Sequence, residues 1–83
     1  MQKEILGRWV EIRTAEGADR WDAWATLYQE GMRPSDGGEA VEREFYGFGD
    51  DQEDAQEMIE VLVTNYLKKK WKSERLRGQG GLA

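Results

Sequence analysis

The sequence predicts an α+β fold, a three-stranded antiparallel β-meander followed by one long C-terminal helix packed on one sheet face. Three observations lead there. Apolar residues alternate with period two in three segments before residue 49. They recur at three- and four-residue steps between Ala55 and Leu67, and two turn-rich stretches separate the alternating segments.

Ile5 to Arg13 reads as the first strand, with Leu6, Val10 and Ile12 assigned to one face and Ile5, Trp9, Glu11 and Arg13 to the other. Thr14 to Asp19 is polar and contains Gly17, as a turn requires. Trp21 to Glu30 is the second strand, alternating Trp21, Ala23, Ala25 and Leu27 against Asp22, Trp24, Thr26 and Tyr28. Gly31 to Gly38 holds the single proline and three glycines and reads as a loop. Glu39 to Phe48 is the third strand, with Val41, Arg43, Phe45 and Gly47 against Glu42, Glu44, Tyr46 and Phe48.

The helix is expected from Asp50 to Arg77. Asp50 or Asp51 serves as N-cap, and Glu53 and Asp54 suit the positive end of the macrodipole. Ala55, Met58, Ile59, Leu62, Val63, Tyr66 and Leu67 form the apolar stripe, and Gly78 is the expected stop. Residues 1–77 thus form a single small domain and 78–83 a flexible Gly-rich tail. A strand of seven residues and a helix of sixteen both span roughly 24 Å. The stripe ending at Leu67 therefore matches the sheet, and the last turns overhang it.

Charge is distributed unevenly along this chain. Residues 1–67 hold six Lys/Arg against sixteen Asp/Glu, and residues 68–83 hold six against one, so the net charge of -5 combines a body of -10 with an end of +5. The 83 residues contain no cysteine and no histidine, which removes disulfides, thiolate chemistry and the commonest general base and metal ligand. Ser35 and Ser73 have no histidine to activate them, so an enzyme is not expected. Gly47-Phe48-Gly49 before a helix superficially matches a phosphate-binding loop. It lacks the third glycine and the Lys-Ser/Thr pair, and Asp50 and Asp51 would repel phosphate. Asp50 to Asp54 with Glu57 does not follow a calcium-loop spacing, so neither metal nor cofactor is expected. The chain opens with no signal-like apolar run and contains no run long enough for a bilayer, so a cytoplasmic location away from membranes is the expectation.

Two features ask for a partner. A single helix covers one sheet face, and the aliphatic side, with Leu6, Val10, Ile12, Ala23, Ala25, Leu27, Val41 and Phe45, suits it. Trp9, Trp24, Tyr28 and Tyr46 then lie on the uncovered side among Glu11, Asp22, Glu42 and Glu44. Cross-strand stabilisation of a solvated sheet accounts for the same pattern. The other feature is the basic overhang of Lys68, Lys69, Lys70, Trp71, Lys72, Arg75 and Arg77, which combines phosphate-neutralising charge with a stacking ring. A solvated helix end is its plainer explanation, and the acidic body opposes a polyanion.

The resulting expectation is a non-catalytic protein-binding module, a small acidic inhibitor or adaptor of phage or mobile-element type whose carboxylates imitate nucleic acid. Its partner is a protein or a second copy of the chain. The alternatives are a nucleic-acid-binding accessory protein led by the basic helix end and a structural homo-oligomer.

Overall fold

A computed structural model describes the backbone of residues 1–80 and the side chains of residues 1–73. Four strands, β1 (Gln2–Ile5), β2 (Arg8–Glu16), β3 (Trp21–Tyr28) and β4 (Val41–Gly49), precede one helix, α1 (Gln52–Gly80). All neighbours are antiparallel and the strand order is sequential. The α+β class and the meander agree with the sequence reading, but the sheet has four strands where three were expected.

The extra strand arises because the segment expected as one strand, Ile5 to Arg13, is broken at Leu6-Gly7. Ile5 stands opposite Arg8, so these two residues form a hairpin turn, with φ of 50° at Leu6 and 79° at Gly7. Two positive φ values define the tight turn whose twist suits a hairpin, and asparagine is the residue usually found where Leu6 stands. Leu6, expected in the core, is therefore turned outward and 59 % exposed, while Ile5 is buried. A leucine held in the left-handed region costs roughly 1–2 kcal/mol. Leu6→Asn is expected to raise stability by about 1 kcal/mol, read as a higher urea midpoint at unchanged slope.

Val10, Ile12, Ala23, Ala25 and Leu27 form the floor under α1, and Ala55, Ile59, Val63 and Leu67 descend onto it. Phe45, Leu62, Tyr66 and Trp21 close its sides. Met58, expected in the stripe, lies at its edge and is 46 % exposed. Asp51 caps α1, its Oδ1 accepting the amide of Asp54 at 2.8 Å. Gly47 and Gly49 are on the helix side of β4. A Cβ at Gly49 would lie 2.5 Å from the Ala55 nitrogen, so the first turn of α1 rests directly on that strand's backbone.

Near the other end of β4 the register shifts. Leu27 pairs with Arg43 and Tyr28 with Val41, leaving Glu42 as the additional residue of a bulge. Val41, expected beneath the helix, stands opposite Tyr28, and Glu42, expected on the outer face, reaches the helix side instead. The helix continues through Gly78, the expected stop, to Gly80. The rest of the expected tail, residues 81–83, lies outside the described residues. At about 1.5 Å per residue, 29 residues give a helix of about 43 Å, longer than the sheet beneath it. The 54 × 26 × 16 Å dimensions of the molecule reflect that overhang.

Candidate functional site

The outer sheet face is divided in two by the segment between β3 and β4. This segment makes two short 3-10 turns, Pro34–Asp36 and Gly38–Ala40, and its base is closed by the Gln29 amide donating to the Ala40 carbonyl at 2.7 Å. It folds over the sheet so that the Arg33 guanidinium lies 5.7 Å from the centre of the Trp9 ring. Trp9 is half-buried there and Tyr28 only 6 % exposed. The Tyr28 hydroxyl donates to Glu11 at 3.4 Å. Burial first, then the nearby Glu11 charge and this hydrogen bond, hold the Tyr28 pKa above its ordinary value. Of these two rings, both expected to be free anchors, Tyr28 is buried and Trp9 is partly covered by Arg33. Nothing in the glycine-rich composition of the covering segment signals that it would turn this way.

The uncovered half carries Trp24, Tyr46 and Phe48, which are 36 %, 46 % and 51 % exposed. Register places them together, with Trp24 opposite Tyr46 and Asp22 opposite Phe48. The Trp24 and Tyr46 rings are 5.9 Å apart and tilted by 51°. The Tyr46 hydroxyl donates to Asp22 at 2.6 Å and accepts from Arg20 at 3.1 Å, while the same guanidinium covers Phe48 at 4.3 Å. The hydrogen bond to Asp22 is the main reason that the Tyr46 pKa is raised. Arg20 and Asp22 thus hold the Tyr46 and Phe48 rings, and Trp24 packs against Tyr46. Phe48 and Arg20 were not among the expected site residues. Alternation from Tyr46 does give the face of Phe48, whereas Arg20 sits at the end of a turn and has no periodic signal.

The expected carboxylates do not act as one group. Glu11 and Glu44 flank the buried Thr26, whose hydroxyl lies 3.5 Å from Glu44, and Asp22 is engaged by Arg20 at 3.4 Å. Glu42 is on the opposite side of the sheet. There it accepts from Arg8 at 2.6 Å, from the Tyr66 hydroxyl at 2.9 Å and from Lys70 at 3.0 Å. The bulge is the physical cause, because one additional residue moves the Glu42 side chain to the helix side. Among the described residues, no three acidic side chains converge as a metal-holding group.

In the basic segment, Lys68, Lys69 and Lys72 are exposed and Trp71 is 68 % exposed. Lys70 is half-buried and committed to Glu42, whose hydrogen bond raises the Lys70 pKa. Leu6, Leu67 and Trp71 border an open groove above Arg8, Glu42 and Lys70. The side chains of Arg75 and Arg77 lie outside the described residues. No helix among those residues is long and apolar enough to cross a membrane. Comparison with protein-family models, with curated proteins and with solved structures gives no match for this chain.

Proposed function

We propose that this protein is a non-catalytic protein-binding module whose contact surface is the uncovered half of the sheet, centred on Trp24, Tyr46 and Phe48. The observation that carries this reading is the fixing of exposed rings by Arg20 and Asp22. Large rings that are already ordered lose little conformational freedom on binding, and such aromatics are the usual anchors of interfaces. Asp22, Glu11 and Glu44 share this face with Arg20 and with Arg13, which stands opposite Trp24, so the rings sit among charges of both signs and suit a partner of mixed apolar and polar character. Inhibitor and adaptor roles both use such a surface. Imitation of nucleic acid by strand carboxylates is a weaker form of this reading, since Glu42 faces away from the others.

The exposure of Lys68, Lys69, Trp71 and Lys72 supports a second reading, an accessory protein that contacts nucleic acid. Affinity capture followed by a titration with the retained protein separates the two. Trp24→Ser with Tyr46→Ser is expected to weaken binding by more than about thirtyfold at unchanged circular dichroism, and neutralising Lys68, Lys69 and Lys72 should leave the affinity of a single surface intact. Retention that disappears on nuclease treatment and depends on those lysines would replace the first reading by the second.

A further inference from the structure

α1 carries charges in two blocks, mostly on its side away from the sheet, and the helix's own dipole engages only Glu53 and Asp54 among them. Glu53, Asp54, Glu57 and Glu60 occupy the first part, Lys68, Lys69, Lys70 and Lys72 the later part, and residues 61–67 between them have no charge. Ion pairs along a helix need a spacing of three or four residues. Glu60 and Lys68 are eight positions apart, about 12 Å along the axis. The macrodipole does not explain the lysines either. Its influence is confined to the last turn, and α1 runs on to Gly80, two turns or more beyond them.

The sheet uses only one charge from each block, through Lys3 with Glu60 and Glu42 with Lys70. Among the described residues, Glu53, Asp54, Glu57, Lys68, Lys69 and Lys72 have no ion-pair partner. Exposed apolar groups accompany them, with Met58 and Val61 46 % and 47 % exposed and Trp71 68 %.

We infer that this face is a homodimer interface, in which α1 of a second copy lies antiparallel across it about a two-fold axis near Thr64. A two-fold interface must be complementary to itself. Antiparallel pairing places the acidic block of each copy beside the basic block of the other, and the uncharged middle, with Val61, crosses at the axis. Parallel pairing would set like charges together. The overhang then lies along the acidic half of the neighbouring α1. The two sheets face outward, so the dimer displays two Trp24–Tyr46–Phe48 surfaces and can bind bivalently. The dimer itself does not depend on what those surfaces bind.

Sedimentation equilibrium over a concentration series tests this. Wild-type protein is expected to move from monomer to dimer mass at low salt, with association weakened by about tenfold or more at high salt. Lys68→Glu with Lys72→Glu, and separately Glu53→Lys with Glu57→Lys, should each remain monomeric, while an equimolar mixture of the two variants recovers dimer mass. Circular dichroism establishes that each variant is folded. If either reversal unfolds the chain, Lys68→Gln with Lys72→Gln and Glu57→Gln replace them and should each weaken association by about threefold or more. Wild-type protein at monomer mass throughout, dimers that persist in both variants, or a mixture that stays monomeric would overturn the inference.

Discussion

Gly49→Ala is expected to destabilise the fold by about 3 kcal/mol, at the upper end of what overpacking usually costs. The methyl group would lie 2.5 Å from the Ala55 nitrogen and 2.7 Å from the Asp54 carbonyl carbon. Neither atom belongs to a side chain that can swing aside. Relief requires the first turn of α1 to lift from β4, which withdraws Ala55 from the core and disturbs the Asp51 cap. A chain of 83 residues has a total stability of about 4–12 kcal/mol, so the loss is a large fraction of the whole. Gly47 provides the internal comparison, since a Cβ there would meet Met58 Cγ at 3.2 Å and Leu62 Cδ1 at 3.3 Å. Both are side-chain atoms, and Gly47→Ala should cost about 1 kcal/mol. At Gly38 a Cβ would meet nothing within 4 Å and alanine should be close to neutral. Urea midpoints should therefore fall in the order Gly38, Gly47, Gly49. Equal shifts at Gly47 and Gly49 would show that the helix start yields freely.

This ranking shows what periodicity conveys and what it omits. The alternation of Val10 with Ile12, and of Ala23, Ala25 and Leu27, identifies the covered face because a strand reverses its side chains at each residue. The four-residue recurrence of Ala55, Ile59, Val63 and Leu67 identifies the helix face for the corresponding reason. Both patterns report burial and neither reports distance. In sequence the glycines at 47 and 49 stand out only as a superficial match to a phosphate-binding loop, yet what requires them is the closeness of α1 to the strand.

Alternation also passes unchanged through a bulge, since the added residue alters the partner's register and leaves its own strand's sequence as it was. Glu42 therefore looked like an outer-face residue. The first hairpin was hidden differently, by a leucine where turn chemistry favours asparagine. At the candidate site, register brings Trp24, Tyr46 and Phe48 together as the alternation implies. The partial covering of Trp9 depends on a loop that brings Arg33 and Pro34 to a ring distant in sequence.

Glu42→Ala is expected to cost about 3–5 kcal/mol, because it leaves the largely buried Arg8 without its carboxylate. Arg8 and Glu42 side chains are 12 % and 17 % exposed, so water cannot replace the missing partner fully. Arg8 keeps its bonds to the Tyr28 carbonyl at 2.7 and 3.1 Å, but Tyr66 and Lys70 lose their acceptor. If the penalty comes from the stranded charge, adding Arg8→Met should recover a substantial part of it. A double variant no better than Glu42→Ala would place the cost in packing instead. The pH dependence gives an independent measure. Desolvation is the largest influence on Glu42 and would raise its pKa, but the hydrogen bonds from Arg8, Lys70 and Tyr66 together outweigh it, so the folded pKa is lowered below 4.5. A carboxyl with a lowered folded pKa stabilises the fold fully above its unfolded value and loses that contribution as pH falls through the folded one. Lys70 has the opposite sign, since its raised folded pKa supplies stability below 10.5 that is lost as pH rises through the higher folded value. Wild-type stability should accordingly decline at both extremes. In Glu42→Ala the acid decline should become shallower and the alkaline decline through Lys70 should diminish with it, because both limbs report one carboxylate.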